Sequence, residues 1–118
     1  NMEALLKAGL PAQVCAVISN DPAAKGLASA RAQGLPVLAI DHKAHATRES
    51  FDAALAAAID ASGAELVVLA GFMRVLTAGF VEHYRGRLIN IHPSLLPSFK
   101  GLHTHRQALD AGVRVHGC

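Results

Sequence analysis

The sequence predicts an α/β fold with a doubly wound, mostly parallel sheet in a single domain, and three observations support it. Four short apolar runs lack polar alternation, which is typical of parallel strands buried on both faces. Helical patterns separate these runs at the spacing of βαβ units, so successive strands are expected to run parallel. The 118 residues, of which 52% are hydrophobic and 17% charged, suit one domain.

The position of each element follows from local patterns. Strands are predicted at residues 13–19, 36–40, 65–71 and 87–92, and helices at 2–8, 22–33, 47–61, 77–84 and 103–111. Asn1 and Thr47 are the predicted N-caps of the first and third helices, and Gly34 and Gly63 follow the second and third. The Ala-rich third helix is amphipathic and is expected to pack against the sheet. Residues 113–118 are expected to lead into another strand.

Composition and charge exclude several classes of protein. The net charge is +2 and the 11 Lys and Arg residues are scattered, so no nucleic-acid-binding surface is predicted. The longest apolar run, residues 66–73, is far shorter than the roughly 18 residues of a membrane span. Cys15 and Cys118 lack zinc-like spacing and are expected to stay reduced, which suits a cytoplasmic protein. The seven His residues include close pairs but no completed ligand set, so no metal is predicted.

Polar side chains follow the predicted strands, at the edge where open α/β sheets bind ligands. Asn90 and His92 are two residues apart in the fourth strand and therefore point to the same face. An amide donor suits a developing oxyanion and an imidazole moves protons near neutral pH, so the pair fits formyl or acyl transfer. On spacing alone, a purely structural hydrogen-bonding role stays open. Pro93 and Pro97 favour the functional interpretation because they stiffen the following loop.

Four segments carry a resemblance to a known family. They are residues 16–20 (AVISN), 65–76 (ELVVLAGFMRVL), 88–101 (LINIHPSLLPSFKG) and 102–109 (LHTHRQAL), which resemble segments of the phosphoribosylglycinamide formyltransferases. The resemblance runs in register over essentially the whole chain, although Lys100 stands where relatives commonly have Pro. It implies a Rossmann-like formyltransferase fold, 10-formyltetrahydrofolate as co-substrate and formyl donor, and 5′-phosphoribosylglycinamide as acceptor in purine biosynthesis.

The resemblance also implies roles for individual residues. Asn90 would hydrogen-bond the formyl oxygen as it becomes an oxyanion, and His92 would stabilise that charge or shuttle the proton of the attacking amine. Asn1 matches the end of a phosphate-binding loop, Pro93 matches the loop that approaches the ribonucleotide, and the Leu96–Pro97 bond matches one that is cis in relatives. The folate is expected against Leu69, Phe72, Met73, Arg74, Val75, Leu76, Leu88 and Asn90, largely through backbone hydrogen bonds, with Leu69 and Leu88 lining the pterin pocket.

The resemblance further implies that residues 1–118 are the central part of a folate-dependent formyltransferase domain, truncated at both ends. A first strand and a Gly-rich phosphate loop would precede Asn1, and a catalytic Asp paired with His92 would follow Cys118. Without that carboxylate the imidazole loses its orienting partner, so these residues alone are expected to have negligible activity.

Two other functions stay open at this point. One is a formyltetrahydrofolate hydrolase that uses Asn90 and His92 with water in place of the amine. The other is a non-catalytic folate- or nucleotide-binding module. The sequence also leaves open whether the protein is a monomer or a homodimer.

Overall fold

The computed structural model describes all 118 residues and contains five α-helices and four short strands. In chain order they are α1 (Met2–Lys7), β1 (Val17–Ser19), α2 (Lys25–Ala32), β2 (Val37–Ala39), α3 (Arg48–Ala61), β3 (Val67–Leu69), α4 (Ala78–His83), β4 (Leu88–Asn90) and α5 (Thr104–Asp110). Every observed element lies inside its predicted range. The longest helix, α3, has 14 residues, and none of the helices has the length and hydrophobicity to cross a membrane.

The strands pair in parallel, as the βαβ spacing predicts, but they form two sheets of two strands. β1 pairs with β2 and β3 pairs with β4. No hydrogen-bonded ladder joins β1 to β3, so the parallel strands are divided into two pairs. The two pairs are held together by side-chain packing, because residues of both pairs contact one hydrophobic cluster on α3 and α4.

That cluster is the core of the molecule. Its buried members are Phe51, Leu55, Ile59, Phe80 and Tyr84. Phe51, Leu55 and Ile59 recur at helical spacing on α3, so this helix presents one apolar stripe as its sequence pattern predicts. Ile18 and Ile40, from the β1–β2 side, and Val67 and Leu88, from β3 and β4, pack against the same cluster. α3 therefore joins the two halves of the fold.

The strands are not buried on both faces, which corrects the prediction from their apolar runs. Val67 and Leu88 pack on the core, whereas Val68 and Ile89 alternate with them and are 43% and 52% exposed. Side chains alternate along a strand, so Val68 and Ile89 point away from α3 and α4. Neither α1 nor α2 covers this exposed face of β3 and β4, because α2 packs on β1 and β2 and α1 packs on α2.

Of the two predicted N-caps, Thr47 makes its capping hydrogen bonds and Asn1 does not. Thr47 Oγ1 accepts the Ser50 N–H at 3.1 Å and Ser50 Oγ accepts the Thr47 N–H at 3.4 Å, which forms a capping box at the start of α3. Thr77 Oγ1 accepts the Phe80 N–H at the start of α4. Asn1 stands at the N-cap of α1, as predicted, but its side chain makes no capping hydrogen bond. Residues 113–118 form neither helix nor strand, and the expectation that they lead into another strand stays a prediction.

A polar cluster closes the core at the amino ends of β3 and β4. The fully buried Tyr84 donates its hydroxyl hydrogen bond to Asp60 Oδ1 at 2.9 Å, and the same hydroxyl lies 3.0 Å from the Ala56 carbonyl oxygen. His83 Nε2 contacts Asp60 Oδ2 at 2.9 Å. The hydrogen bonds from Tyr84 and His83 hold the pKa of Asp60 below its usual value, whereas burial raises the pKa of Tyr84 to about 12.

Candidate active site

The carboxyl ends of β3 and β4 lie side by side, because the parallel register places Leu69 opposite Asn90. Asn90 is the last residue of β4 and its side chain is exposed. Beyond it the chain lines an open cleft of about 690 Å³ formed by Asn90, Ile91, His92, Ser94, Leu95, Leu96 and Cys118. The predicted pair Asn90 and His92 therefore shares one cleft at the edge where parallel sheets bind ligands.

The loop after β4 is shaped by its own hydrogen bonds. The buried Ser94 donates its hydroxyl to the Ser98 carbonyl at 2.8 Å, which closes residues 94–98 into a tight turn. The Leu96–Pro97 bond within this turn is cis, in agreement with the resemblance. The turn brings the Phe99 carbonyl to 3.4 Å from His92 Nε2. A carbonyl only accepts, so Nε2 is the donor in this contact, and in the neutral ring Nδ1 is then the nitrogen that accepts.

Besides the apolar Ile91, Leu95 and Leu96, the cleft contains Ser94 and Cys118, which were not predicted as site residues. Ser94 is the polar residue of an otherwise apolar stretch between two prolines, and that contrast is a signal of a structural role. Cys118 reaches the cleft from the far end of the chain, and no local pattern indicates this. Both cysteines are free, as their spacing predicts. The cleft thus combines an amide, an imidazole and a thiol on an apolar wall.

The segment 72–76, predicted to contact folate, runs from β3 towards α4 with alternating orientation. Phe72 and Leu76 are half-buried and pack on the core cluster. Met73 and Val75 are 74% and 72% exposed. Arg74 was expected on an exposed loop, but its guanidinium lies 5.0 Å from the centre of the Phe51 ring and its Nε is buried without a hydrogen-bond partner. The attraction between the guanidinium and the face of the Phe51 ring favours this inward orientation.

The other predicted site residues do not line the cleft. Leu69 is half-buried at the end of β3, and Pro93 is exposed directly after His92. Leu88 lies at the amino end of β4 and packs on the core, where Val67 is its partner in the neighbouring strand. Asn1 is exposed on α1, which packs on α2. Their predicted contacts with folate and ribonucleotide stay predictions.

Five of the six histidines outside the cleft have structural contacts. Asn20 Nδ2 lies 3.1 Å from His42 Nδ1, which joins the carboxyl ends of β1 and β2. His45 contacts the Phe51 ring edge-on, and His105 contacts His116 in the same way across a small cavity of about 210 Å³. No three His, Cys, Asp or Glu side chains lie close enough together to hold a metal ion.

Comparison with known proteins settles the family. A family model described as formyl transferase matches residues 1–118, which is the whole chain. The chain belongs to the formyl transferase family. It is 50% identical to the trifunctional purine biosynthetic protein adenosine-3 of Drosophila melanogaster, over all of this chain and 9% of that protein. It is 47% identical to the phosphoribosylglycinamide formyltransferase of Escherichia coli (strain K12), over 99% of this chain and 57% of that protein.

Solved structures confirm the formyltransferase fold. The phosphoribosylglycinamide formyltransferase of Coxiella burnetii, solved in complex with CHES, superposes with a TM-score of 0.90 at 46% identity. Glycinamide ribonucleotide transformylase 1 of Symbiobacterium toebii superposes with a TM-score of 0.89 at 44% identity. These matches cover 98% and 99% of this formyl transferase chain but only 55% of each solved chain. The chain therefore spans little more than half the length of these relatives.

Proposed function

We propose that this formyl transferase chain carries the reaction centre of a phosphoribosylglycinamide formyltransferase. In this proposal it transfers the formyl group of 10-formyltetrahydrofolate to the amine of 5′-phosphoribosylglycinamide in de novo purine biosynthesis. The observation that supports it is the pairing of Asn90 and His92 in one open cleft beside the carboxyl end of β3. The 47% identity to the phosphoribosylglycinamide formyltransferase of Escherichia coli supports the choice of substrates.

The proposed reaction is a direct transfer between two nitrogens. The amine of the ribonucleotide attacks the formyl carbon, so a new N–C bond forms and the carbonyl oxygen gains negative charge. The bond between that carbon and N10 of the folate then breaks, and the proton lost by the amine is delivered to N10. Neither metal nor covalent enzyme intermediate is needed for these steps to balance.

The two polar side chains suit the two demands of this reaction. The exposed Asn90 amide is a neutral N–H donor, so it stabilises the oxyanion without favouring the uncharged ground state to the same extent. The contact between His92 Nε2 and the Phe99 carbonyl leaves Nδ1 as the basic nitrogen of the neutral ring. In our proposal this nitrogen accepts the proton of the amine and passes it on towards N10.

The substrates are placed on either side of this pair. We propose that folate lies along residues 72–76 and Leu69, with Leu88 beneath its pterin ring, and that the ribonucleotide lies towards Pro93, with its phosphate near Asn1. The partners are therefore small molecules, in a cytoplasmic protein that binds neither nucleic acid nor membranes. A homodimer is compatible with this arrangement.

Because residues 1–118 alone are expected to have negligible activity, formyl transfer is assayed with both substrates in a protein that also carries the segments expected before Asn1 and after Cys118. Removal of an oxyanion donor commonly costs about 10²–10³-fold in kcat, so Asn90→Ala is expected to lose activity by that factor. Asn90→Asp is expected to lose more, because a carboxylate repels the oxyanion. His92→Asn is expected to lose about 10²–10⁴-fold in kcat with a folate affinity near that of the original protein.

His83→Asn is the matched control, since this histidine lies at the amino ends of β3 and β4, away from the cleft. Its kcat is expected to stay unchanged. Wild-type turnover in Asn90→Ala would refute the role of Asn90. Release of formate without the ribonucleotide would indicate a hydrolase. If the protein shows no turnover and the variants at Asn90 and His92 leave its folate affinity unchanged, it is a binding module.

A further inference from the structure

A buried carboxylate of α3 holds the end of the segment that is proposed to bind folate. Asp52 is only 4% exposed, and its Oδ2 accepts the backbone N–H of Thr77 at 2.7 Å. Thr77 in turn caps α4 by accepting the Phe80 N–H. One hydrogen bond therefore fixes both the last residue of the connection between β3 and α4 and the start of the following helix.

The neighbouring residue of α3 holds the middle of the same segment. The Arg74 guanidinium lies over the Phe51 ring, with its carbon 5.0 Å from the ring centre. Phe51 also belongs to the cluster on which Phe72 and Leu76 pack. Met73 and Val75 are thereby directed to solvent. The first two turns of α3 thus position residues 72–77 from below, and the outer side of the segment stays open for a ligand.

The chemistry of Asp52 is unusual for its place on the helix. Its neighbours on the buried side of α3 are Phe51 and Leu55, and burial of a carboxylate among apolar groups is unfavourable unless it is hydrogen-bonded. A bond from a backbone N–H to a carboxylate is short and stronger than one between neutral groups. The 2.7 Å contact with Thr77 is the compensating bond that the structure supplies.

We propose that Asp52 is a positioning residue for folate recognition, acting through Thr77 on residues 72–76. This inference rests on the proposed function. When the segment is already ordered before the ligand arrives, binding does not have to order it, and affinity is greater. Asp52 itself is buried beneath the segment and takes no part in the chemical steps.

Asp52→Ala is the test variant and Asp52→Asn the conservative one, because the Asn side-chain oxygen still accepts the Thr77 N–H. Ile59→Val, at the other end of α3, is a matched control for moderate core destabilisation. Two quantities are measured in each protein: the Kd of 10-formyltetrahydrofolate by calorimetry, and the amide hydrogen exchange of residues 75–77.

Asp52→Ala is expected to raise the Kd about tenfold and to remove the exchange protection of the Thr77 amide. Where activity is measured, KM for the folate is expected to rise with kcat nearly unchanged. Asp52→Asn is expected to restore most of the affinity, and Ile59→Val to change neither quantity. If Asp52→Ala does not fold, Thr77→Pro is compared with Thr77→Val. Both variants lose the Oγ1 cap of α4, but only proline removes the N–H, at a residue whose φ of −70° suits it.

The two arms separate the inference from the function on which it rests. A Kd in Asp52→Ala within twofold of the Ile59→Val value overturns the positioning role. Asp52→Asn that is as weak as Asp52→Ala overturns the hydrogen-bond explanation. If the original protein does not bind 10-formyltetrahydrofolate, the proposed function fails, and the exchange data then decide by themselves whether Asp52 orders the segment.

Discussion

Replacement of Tyr84 by Phe removes one buried hydroxyl and preserves the packing of the ring. The ring keeps its contacts with Phe80, at 4.8 Å between centroids, and with the Arg87 guanidinium, at 4.7 Å. The lost group is the donor to Asp60 Oδ1 at 2.9 Å. Because a hydrogen bond to a charged group contributes about 1.5–3 kcal/mol, the free energy of unfolding is expected to fall by about 2 kcal/mol. For a chain of this length, that loss lowers Tm by roughly 6–12 °C.

The same hydroxyl predicts a dependence on alkaline pH. Burial and the bond to Asp60 raise the pKa of Tyr84 from 10.0 to about 12. The folded protein therefore keeps a proton that the unfolded chain releases, so the stabilisation is complete below pH 10.0 and is lost as the pH rises towards 12. The stability difference between the original protein and Tyr84→Phe is expected to shrink over this window in urea titrations.

The phenol can be followed directly, because the chain has one Tyr and no Trp. Ultraviolet absorbance after rapid pH jumps is expected to give a midpoint near 12 in the folded protein and about 10 in the urea-unfolded chain. Glu82→Gln removes an exposed ion pair with Arg85 near the same helix end and is expected to leave Tm nearly unchanged. Equal stability of Tyr84→Phe and the original protein, or a folded midpoint near 10, would refute the reasoning.

Three further predictions concern acid stability, capping and the core. The hydrogen bonds from Tyr84 and His83 hold the pKa of Asp60 below 3.8, so its stabilisation is present above that pH and lost as the pH falls through the lowered value. Asp60→Asn is therefore expected to flatten the acid side of the Tm–pH curve, and a curve parallel to that of the original protein would contradict this. Thr47→Ala removes the capping box and is expected to lower the free energy of unfolding in urea by about 1 kcal/mol. Thr47→Ser keeps the capping hydroxyl and is expected to keep the stability. Equal losses in the two variants would argue against the cap. Leu55→Ala leaves a cavity in the core and is expected to lower the free energy of unfolding by about 2–5 kcal/mol. A loss below about 1 kcal/mol would mean that the core tolerates this cavity.

The type and order of the secondary-structure elements were predictable because their signals are local. Thr47 before the Ala-rich helix, Gly63 after it and the apolar run at 65–71 each act within a few residues. The structure places α3 and β3 inside those limits. The strand bounds were predicted too long, since an apolar run does not show where hydrogen bonding to a neighbouring strand begins.

The candidate site was predictable only in part. The two-residue spacing of Asn90 and His92 predicts a common location, and both residues line the same cleft. The inward turn of Arg74 was missed because it depends on Phe51, a residue 23 positions earlier in the chain. Asp52 was missed for a similar reason, although a carboxylate on an apolar helix face is a signal that sequence reasoning can use.

The sequence by itself determined the α/β class, the parallel direction of the strands, the Thr47 cap of α3 and the common location of Asn90 and His92, because periodicity and capping depend on neighbouring residues. Only the tertiary structure decided that the strands form two pairs held by α3 and that one face of β3 and β4 stays open. It also decided that Tyr84 reaches Asp60, that Asp52 reaches Thr77 and that Cys118 lines the cleft. These features arise from contacts between residues far apart in the chain. Such contacts depend on packing in three dimensions, which no local pattern encodes.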